Sequence, residues 1–269
     1  MAVVGIAEFF KEEKIEYYCV LSYADCIETA PSIMGRESFT PRSVILFLLP
    51  YYSGETDNLS RYASSKDYHI AIRKTGEGLI SCLEATYPGY SFKTYGDHSP
   101  INELHAALIG GLGIKGDSGL LINERYGTFV FIGDVITDIP PDMIGASSPK
   151  SILSCEHCGR CLKACPTGIL RQEGCDCLSA ITQRKGELTN EEVELMRKFN
   201  TVWGCDECQI ACPHNNNPVI TPIDFFKEDR ICKLTTELVE GMSKKEFEDR
   251  AFAWRGLRTV LRNLKLLDE

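Results

Sequence analysis

The stretch C155-E-H-C158-G-R-C161-L-K-A-C165-P decides how this chain is read. Its C-x2-C-x2-C-x3-C-P spacing is the one in which three thiolates hold one 4Fe-4S cubane while the fourth reaches a second. A second run, C205-D-E-C208-Q-I-A-C212-P, carries only C-x2-C-x3-C-P and is one thiolate short of a site. The missing ligand has to come from elsewhere, and Cys177 and Cys175 both lie between the runs. The ligand set is then Cys155, Cys158, Cys161 and Cys212 for one cubane, and Cys205, Cys208, Cys165 and the detached cysteine for the other. Closely spaced cysteines also build disulfide frameworks and zinc sites. Zinc, however, is satisfied by two C-x2-C pairs and leaves the third cysteine, the x3 gap and the proline after each run unexplained. The opening Met1-Ala-Val-Val-Gly-Ile-Ala-Glu8 has no basic region and meets an acid before any long apolar stretch, so no secretory signal is read and the thiols are expected to stay reduced in a cytoplasmic protein.

A chain of 269 residues with 43% hydrophobic content can bury an ordinary core. Its longest strongly apolar run, Val44 to Pro50, is far short of the roughly 20 residues of a membrane span, and no membrane partner is expected. A formal charge of -9 argues against a general polyanion binder but leaves room for a local basic surface. Arg255, Arg258, Arg262 and Lys265 recur at steps of three or four, which puts them along one helical face suited either to solvent or to RNA phosphates.

Ten of the thirteen cysteines fall between Cys155 and Cys232, and that shift in composition marks a boundary. Before it, Gly5 to Lys14, Lys66 to Leu83 and Ile101 to Ile109 read as helices. Tyr17 to Leu21, Ser43 to Leu49, Tyr90 to Thr94, Gly119 to Asn123 and Thr128 to Ile136 read as strands. The turn-rich Asp138 to Pro149 reads as a linker. The expected organisation is a mixed α/β domain over 1–150, a cluster domain over 151–222 and a short helical extension over 223–269. Thr189-Asn-Glu-Glu192 has the capping-box spacing, with Leu188 and Val193 placed as a hydrophobic staple, and starts a helix to about Phe199. Ser243-Lys-Lys-Glu246 repeats the signal and is expected to open the basic terminal helix.

Two other patterns weaken on inspection. Gly111-Leu-Gly113-Ile-Lys-Gly116 fits G-x-G-x-x-G, but a helix precedes it and a strand follows, the reverse of the dinucleotide-binding context, so it reads as a tight connection. Asp67-Tyr-His69 begins like the D-x-H-x-x-G element that presents an axial histidine to cobalt, yet Ile72 stands where the glycine belongs. His69, His157 and His214 are left without a ligand role. Asp97, followed by Pro100, reads on its own as a helix N-cap.

The first cysteine run, the detached C177-L-S179-A-I-T182-Q183-R-K185-G186 and W203-G-C205-D206-E-C208-Q209-I-A-C212-P-H214-N215 together resemble the epoxyqueuosine reductases. The likeness continues through R61-Y-A-S-S-K66-D67-Y68-H69, D97-H-S-P-I-N-E103, G111-L-G-I-K-G116, Y126-G127-T-F-V-F-I132-G133 and R255-G256-L-R-T-V-L-R262-N263, and so covers nearly the whole chain. It implies an α+β protein, with a nitroreductase-like cobalamin-binding domain followed by a ferredoxin-like domain carrying two 4Fe-4S clusters. It favours Cys177 over Cys175 as the detached ligand. It makes Asp97 the proton donor facing the substrate, and assigns Arg36, Ser60, Asp97, Leu121, Ile132, Ser179 and Asp206 to corrinoid contacts. Two departures stand out. Asp117 replaces a lysine usual in the family, and the helical repeats that grip transfer RNA in full-length members would lie beyond Asn263, where the sequence given runs only to Glu269.

The chemistry so implied is the reduction of an epoxide in a modified transfer RNA to an alkene, which consumes two electrons and two protons. Clusters fed by a low-potential donor pass single electrons, and the cofactor's cobalt performs the nucleophilic step while protein groups orient and protonate. Two alternatives share parts of the pattern: a corrinoid-dependent reductase of a small molecule, and a two-cluster electron-transfer protein without corrinoid.

Overall fold

Ser43–Pro50 is apolar almost throughout and buried at every residue, the signature of a strand covered on both faces. A computed structural model describes residues 5–172 and 176–268, and within these the chain divides into two compact units, residues 1–50 with 69–157 and residues 51–68 with 158–269. The sequence boundary near 150 therefore misses one feature, a segment from Tyr51 to Tyr68 that belongs with the cysteine-rich part.

The first unit is built, in chain order, from α1 (Ile6–Glu12), β1 (Tyr18–Ser22), α2 (Pro31–Met34), β2 (Ser43–Pro50), α3 (Tyr68–Thr86), β3 (Phe92–Tyr95), α4 (Glu103–Ile109), β4 (Ile114–Lys115), β5 (Leu121–Ile122), β6 (Val130–Thr137) and α5 (Pro141–Ile144). The main sheet has the order β1-β2-β6-β3, antiparallel throughout, with Leu46 and Tyr95 both opposite Asp134. Alternation along the strands sends Val44, Leu46 and Leu48 to one face, where they pack with Ile136 and with Ala106 to Ile109 of α4. The opposite face meets α1 and α3: the Phe10 and Phe47 rings lie 5.7 Å apart, and a Cβ on Gly133 would come within 2.6 Å of the Phe47 ring. Gly76 is required for the same reason, since a Cβ there would lie 2.0 Å from Thr94 Oγ1, where α3 crosses β3.

Residues 97–102 are not helical, which corrects the reading of Asp97 as a cap. Asn102 caps α4 instead, its side chain accepting from His105 N at 2.9 Å. The preceding loop is held extended by Thr29 N and Ala30 N donating to Pro100 O and by Asn102 N donating to Ile27 O. Gly111 to Gly116 is the tight connection expected, turning from α4 into β4 with Gly111 at φ +75°.

The second unit is helical, with α6 (Arg160–Ala164), α7 (Leu178–Thr182), α8 (Asn190–Lys198), α9 (Glu207–Ile210), α10 (Thr236–Gly241), α11 (Lys244–Glu248) and α12 (Leu257–Asp268). Its core joins Leu59 and Ala63 to Val202, Trp203, Phe252, Val260 and Leu264. Buried Asn263 donates to Thr182 O and Val202 O, tying α12 to the loops around the second cysteine run. The Thr189 capping box is present, and so is that of Ser243. The latter opens only the five-residue α11. Gly256, at φ +89°, separates it from α12, so Arg255 lies in the turn before the basic helix and not on it. Among the described residues no helix is long and apolar enough to cross a membrane.

Candidate cluster and acid sites

Cys161 and Cys208 sit within short helices, and Cys165, Cys177 and Cys212 flank helices or turns, with left-handed Gly159 opening the first. Cys161 lies in α6, which Cys165 terminates by donating its N–H to Cys161 O at 3.1 Å, and α6 packs on α9, which carries Cys208. Cys177 is the N-cap of α7. Burial, and then the neighbouring Cys177, Cys208 and Asp206, push the Cys205 thiol up to about 12, with only a backbone N–H at Glu207 opposing. Cys208 is pushed up to about 12 by burial and by Cys177, Asp206, Cys165 and Cys161. Cys165 is lowered: burial opposes the thiolate, but the N–H groups of Leu170, Gly168 and Thr167 and the Thr167 hydroxyl outweigh it.

Cys177 thus lies near both Cys205 and Cys208, and Cys165 lies near Cys208. Buried thiols placed together in this way suit a metal cluster, whose positive iron replaces the protons and stabilises thiolates that burial alone disfavours. Cys158 is exposed, Cys212 starts the turn Pro213–Asn215, and Cys155 donates its N–H to Lys115 O at 3.0 Å. Cys175 lies outside the described residues.

Asp117, where a lysine was expected, accepts from His157 Nδ1 at 2.7 Å, and these two groups with the Cys155 thiol hold their donor atoms within 4.8 Å of one another. His157 therefore has a partner that its sequence context did not disclose.

Ser60 and Asp206, far apart in sequence, meet in the second unit. The Ser60 hydroxyl donates to Asp206 Oδ1 at 2.5 Å, Gln209 Nε2 donates to the same oxygen at 3.0 Å, and Oδ2 accepts from Arg61 N at 2.8 Å and Arg61 Nη1 at 3.2 Å. These four donors fill the acceptor capacity of one carboxylate, so Asp206 acts on its surroundings by fixing Ser60 and Arg61. Arg61 also pairs with Glu55. Ser179 Oγ accepts from Gln183 Nε2 at 2.9 Å, and Gln183 in turn reaches Tyr62 and Trp254. In the first unit Leu121 is buried and Ile132 half-buried against the core beneath α4. Arg36 is exposed beside a cavity of about 480 Å³ lined also by His69, Arg73, Lys93 and His98.

Asp97 is exposed, in the left-handed region at φ +60°, with Oδ2 3.8 Å from His69 Nε2 and its N–H donating to Glu103 Oε1 at 3.0 Å. Burial, followed by the charge of Asp97, pushes Glu103 up to about 7. Asp134 lies beneath, fully buried; burial and then Glu103 raise its carboxyl far above the usual range. Ser99 lies close enough to favour its charged form slightly, but neither oxygen has a hydrogen bond of good geometry among the described residues. Glu103 and Asp134 escaped the sequence reading. The available signal was Asp134 itself, an acid at an alternating position that Val130, Ile132 and Ile136 mark as facing the core.

Residues 154–215 match the family model described as a 4Fe-4S double cluster binding domain. An epoxyqueuosine reductase from Listeria monocytogenes is 33% identical over 260 residues, which cover 87% of this chain and 64% of that protein. One from Gloeobacter violaceus is 32% identical over 224 residues, covering 77% of this chain and 68% of its own length. The chain spans about half to two thirds of the length of the curated relatives it matches. Among solved structures, an epoxyqueuosine reductase crystallised with an epoxyqueuosine-modified stem loop of a tyrosine transfer RNA superposes with a TM-score of 0.77 at 22% identity, over 97% of this chain and 80% of that one. At that identity the likeness establishes the fold, an α+β architecture. The Gloeobacter relative, shared over two thirds of its length at that identity, settles the kinship: this chain belongs to the epoxyqueuosine reductase family.

Proposed function

We propose that the protein is an oxidoreductase that converts the epoxide of epoxyqueuosine in transfer RNA to the alkene, drawing electrons through two 4Fe-4S clusters and using cobalamin. The observation that carries this reading is the approach of the detached Cys177 to Cys205 and Cys208 of the second run, which is one thiolate short, with Cys165 of the first run also beside Cys208. Family membership supplies the reaction, and the stem-loop complex of a solved relative supports RNA as the substrate class.

In this reading the second cubane takes those four thiolates, and the first takes Cys155, Cys158, Cys161 and Cys212. A bound corrinoid supplies a cobalt centre able to collect single electrons and act as a nucleophile towards the strained ring. The family resemblance assigns the corrinoid contacts to Arg36, Ser60, Asp97, Leu121, Ile132, Ser179 and Asp206. Asp206 holds Ser60 and the Arg61 backbone in place, and half-buried Ile132 would present an apolar edge to the tetrapyrrole. Asp97, exposed and held by its N–H to Glu103, gives a proton to the oxygen as the ring opens.

Anaerobic purification with added cobalamin, iron, sulfide and cobalt analysis, and a nucleoside assay on epoxyqueuosine-containing stem loops test the reading together. Two clusters, one cobalt and queuosine formation are expected. Firm cobalt binding without action on the RNA points to a small-molecule substrate, and iron without cobalt to an electron-transfer protein.

A further inference from the structure

Reducing an epoxide to an alkene breaks two carbon–oxygen bonds, forms one carbon–carbon π bond, and takes up two electrons and two protons, the oxygen leaving as water. The electrons come from a low-potential one-electron donor through the clusters. One carboxyl at Asp97 carries one proton, so the second has to reach the same place before the hydroxyl departs. We propose that Glu103, backed by Asp134, holds that second proton and hands it to Asp97, which therefore protonates the leaving oxygen twice in one turnover. The inference rests on the epoxide-reducing reading above.

The placement argues for it. Glu103 opens α4 directly behind the Asp97 loop and accepts the Asp97 N–H at 3.0 Å. The loop cannot drift freely, because Thr29, Ala30 and Asn102 tie its far end to residues 27–30. Asp134 on β6 faces α4 from below, at a point in the core where neither of its oxygens finds a well-formed hydrogen bond among the described residues. On the outer side His69 of α3 approaches Asp97 at 3.8 Å. The groups facing Glu103 are thus Asp97 from the loop, Asp134 from the sheet and His69 from α3. Those facing Asp134 are Tyr23, Cys26 and Tyr95, all raised above their ordinary values, first by burial, and so neutral. Burial and then the charge of Asp97 outweigh the Asp97 N–H and His69 and leave Glu103 substantially protonated near neutral pH, when an ordinary glutamate is empty. Once Asp97 has given its proton away, a loaded carboxyl lies next to an empty one, and transfer between them, directly or through one water, restores the donor. Glu103 then refills from solvent. Glu103 acts through Asp97, as a proton-supplying and positioning residue.

Glu103→Gln separates the two duties, because its amide oxygen still accepts the Asp97 N–H but it carries no transferable proton. On the cobalamin- and cluster-loaded protein, infrared titration should show a carboxyl carbonyl band that disappears as the pH rises through about 7 and that Glu103→Gln lacks. In the stem-loop assay the variant should keep its KM, iron and cobalt while kcat falls by about 10-fold to 100-fold and loses its dependence on a group titrating near pH 7. Glu103→Asp should recover part of the loss. An active wild type whose Glu103→Gln variant turns over normally, or an infrared titration without that band, overturns the relay alone. A loaded wild type that reduces no epoxide overturns the functional reading on which the relay rests, whatever the infrared band shows.

Discussion

Replacing Asp206 by alanine removes the acceptor of four hydrogen bonds at once: from the Ser60 hydroxyl, from Gln209, and from the backbone and guanidinium nitrogens of Arg61. The Asp206 and Arg61 side chains are 4% and 10% exposed, so water does little to compensate. Hydrogen bonds to a charged group are each worth about 1.5–3 kcal/mol net, and removing one partner of a buried pair costs about 3–5 kcal/mol because the other charge stays behind. Glu55 still reaches Arg61 but is 69% exposed, a setting in which an ion pair contributes about 1 kcal/mol or less. A loss of about 4 kcal/mol in the stability of the second unit is therefore expected. Both tryptophans, Trp203 and Trp254, lie in that unit, so fluorescence during anaerobic urea unfolding follows it selectively. Combined with Arg61→Ala in a double-mutant cycle, the pair should couple by about 2 kcal/mol or more. A cost for Asp206→Ala below about 1 kcal/mol, or additive behaviour with Arg61→Ala, would refute the view that this carboxylate organises the loops around Ser60 and Cys205.

Cys177→Ala should reduce iron content by up to half and alter the spectrum of one cluster, while Cys175→Ala leaves both intact; the opposite pattern in iron analysis reassigns the detached ligand. Asp97→Asn should leave cobalt and iron content unchanged and lower kcat by about 100-fold or more, and unaltered turnover removes Asp97 from the reaction. Because Glu103 has a folded value near 7 against an ordinary 4.5, it contributes stability that is complete below its unfolded value and is lost as the pH rises through about 7. Wild type should therefore lose about 2–3 kcal/mol relative to Glu103→Gln between about pH 5 and pH 8, and parallel urea midpoints across that range would contradict it. Arg258, exposed beside a cavity lined by Lys185, Arg255 and Arg262, should on neutralisation weaken RNA binding and reduce its salt slope by about one. Arg262→Ala should act differently and lower stability, since its guanidinium donates to Arg184 O and Gly186 O.

The parts of the fold that could be read from sequence were those specified locally. An apolar run announces β2, and a capping box announces α8. Helices of four or five residues such as α6, α7 and α9 are too short to display a helical period; Gly159 and Cys165 bound α6, and Cys177 starts α7. The removal of Tyr51–Tyr68 to the second unit depends on pairings such as Ser60 N to Trp203 O at 2.7 Å and Val202 N to Asn58 O at 2.7 Å, which join residues more than a hundred positions apart and leave no local trace. The same division runs through the sites. Cluster cysteines have a fixed spacing because each run wraps one cubane and sends its last thiolate to the other. Glu103 and Asp134 come together only when α4 packs on the sheet, and their raised protonation is a property of that packing.

Asp117 shows how a departure from a family pattern acquires meaning from its surroundings. Taken alone, an acid in place of a lysine subtracts a positive contact. In the folded chain the carboxylate meets His157, a non-glycine residue in the left-handed region at φ +53° and the midpoint of the link from Cys155 to Cys158. A side chain forced into that conformation stays there only when something holds it, and the 2.7 Å bond to Asp117 is such a restraint. Lys115, two residues before Asp117, accepts the Cys155 N–H through its carbonyl, so one short strand and one carboxylate fix the entrance to the cluster run at two points. A lysine at 117 would offer His157 a donor where it now finds an acceptor. Asp117 thus restrains the cluster loop at His157, an acceptor's duty that a lysine in its place could not perform.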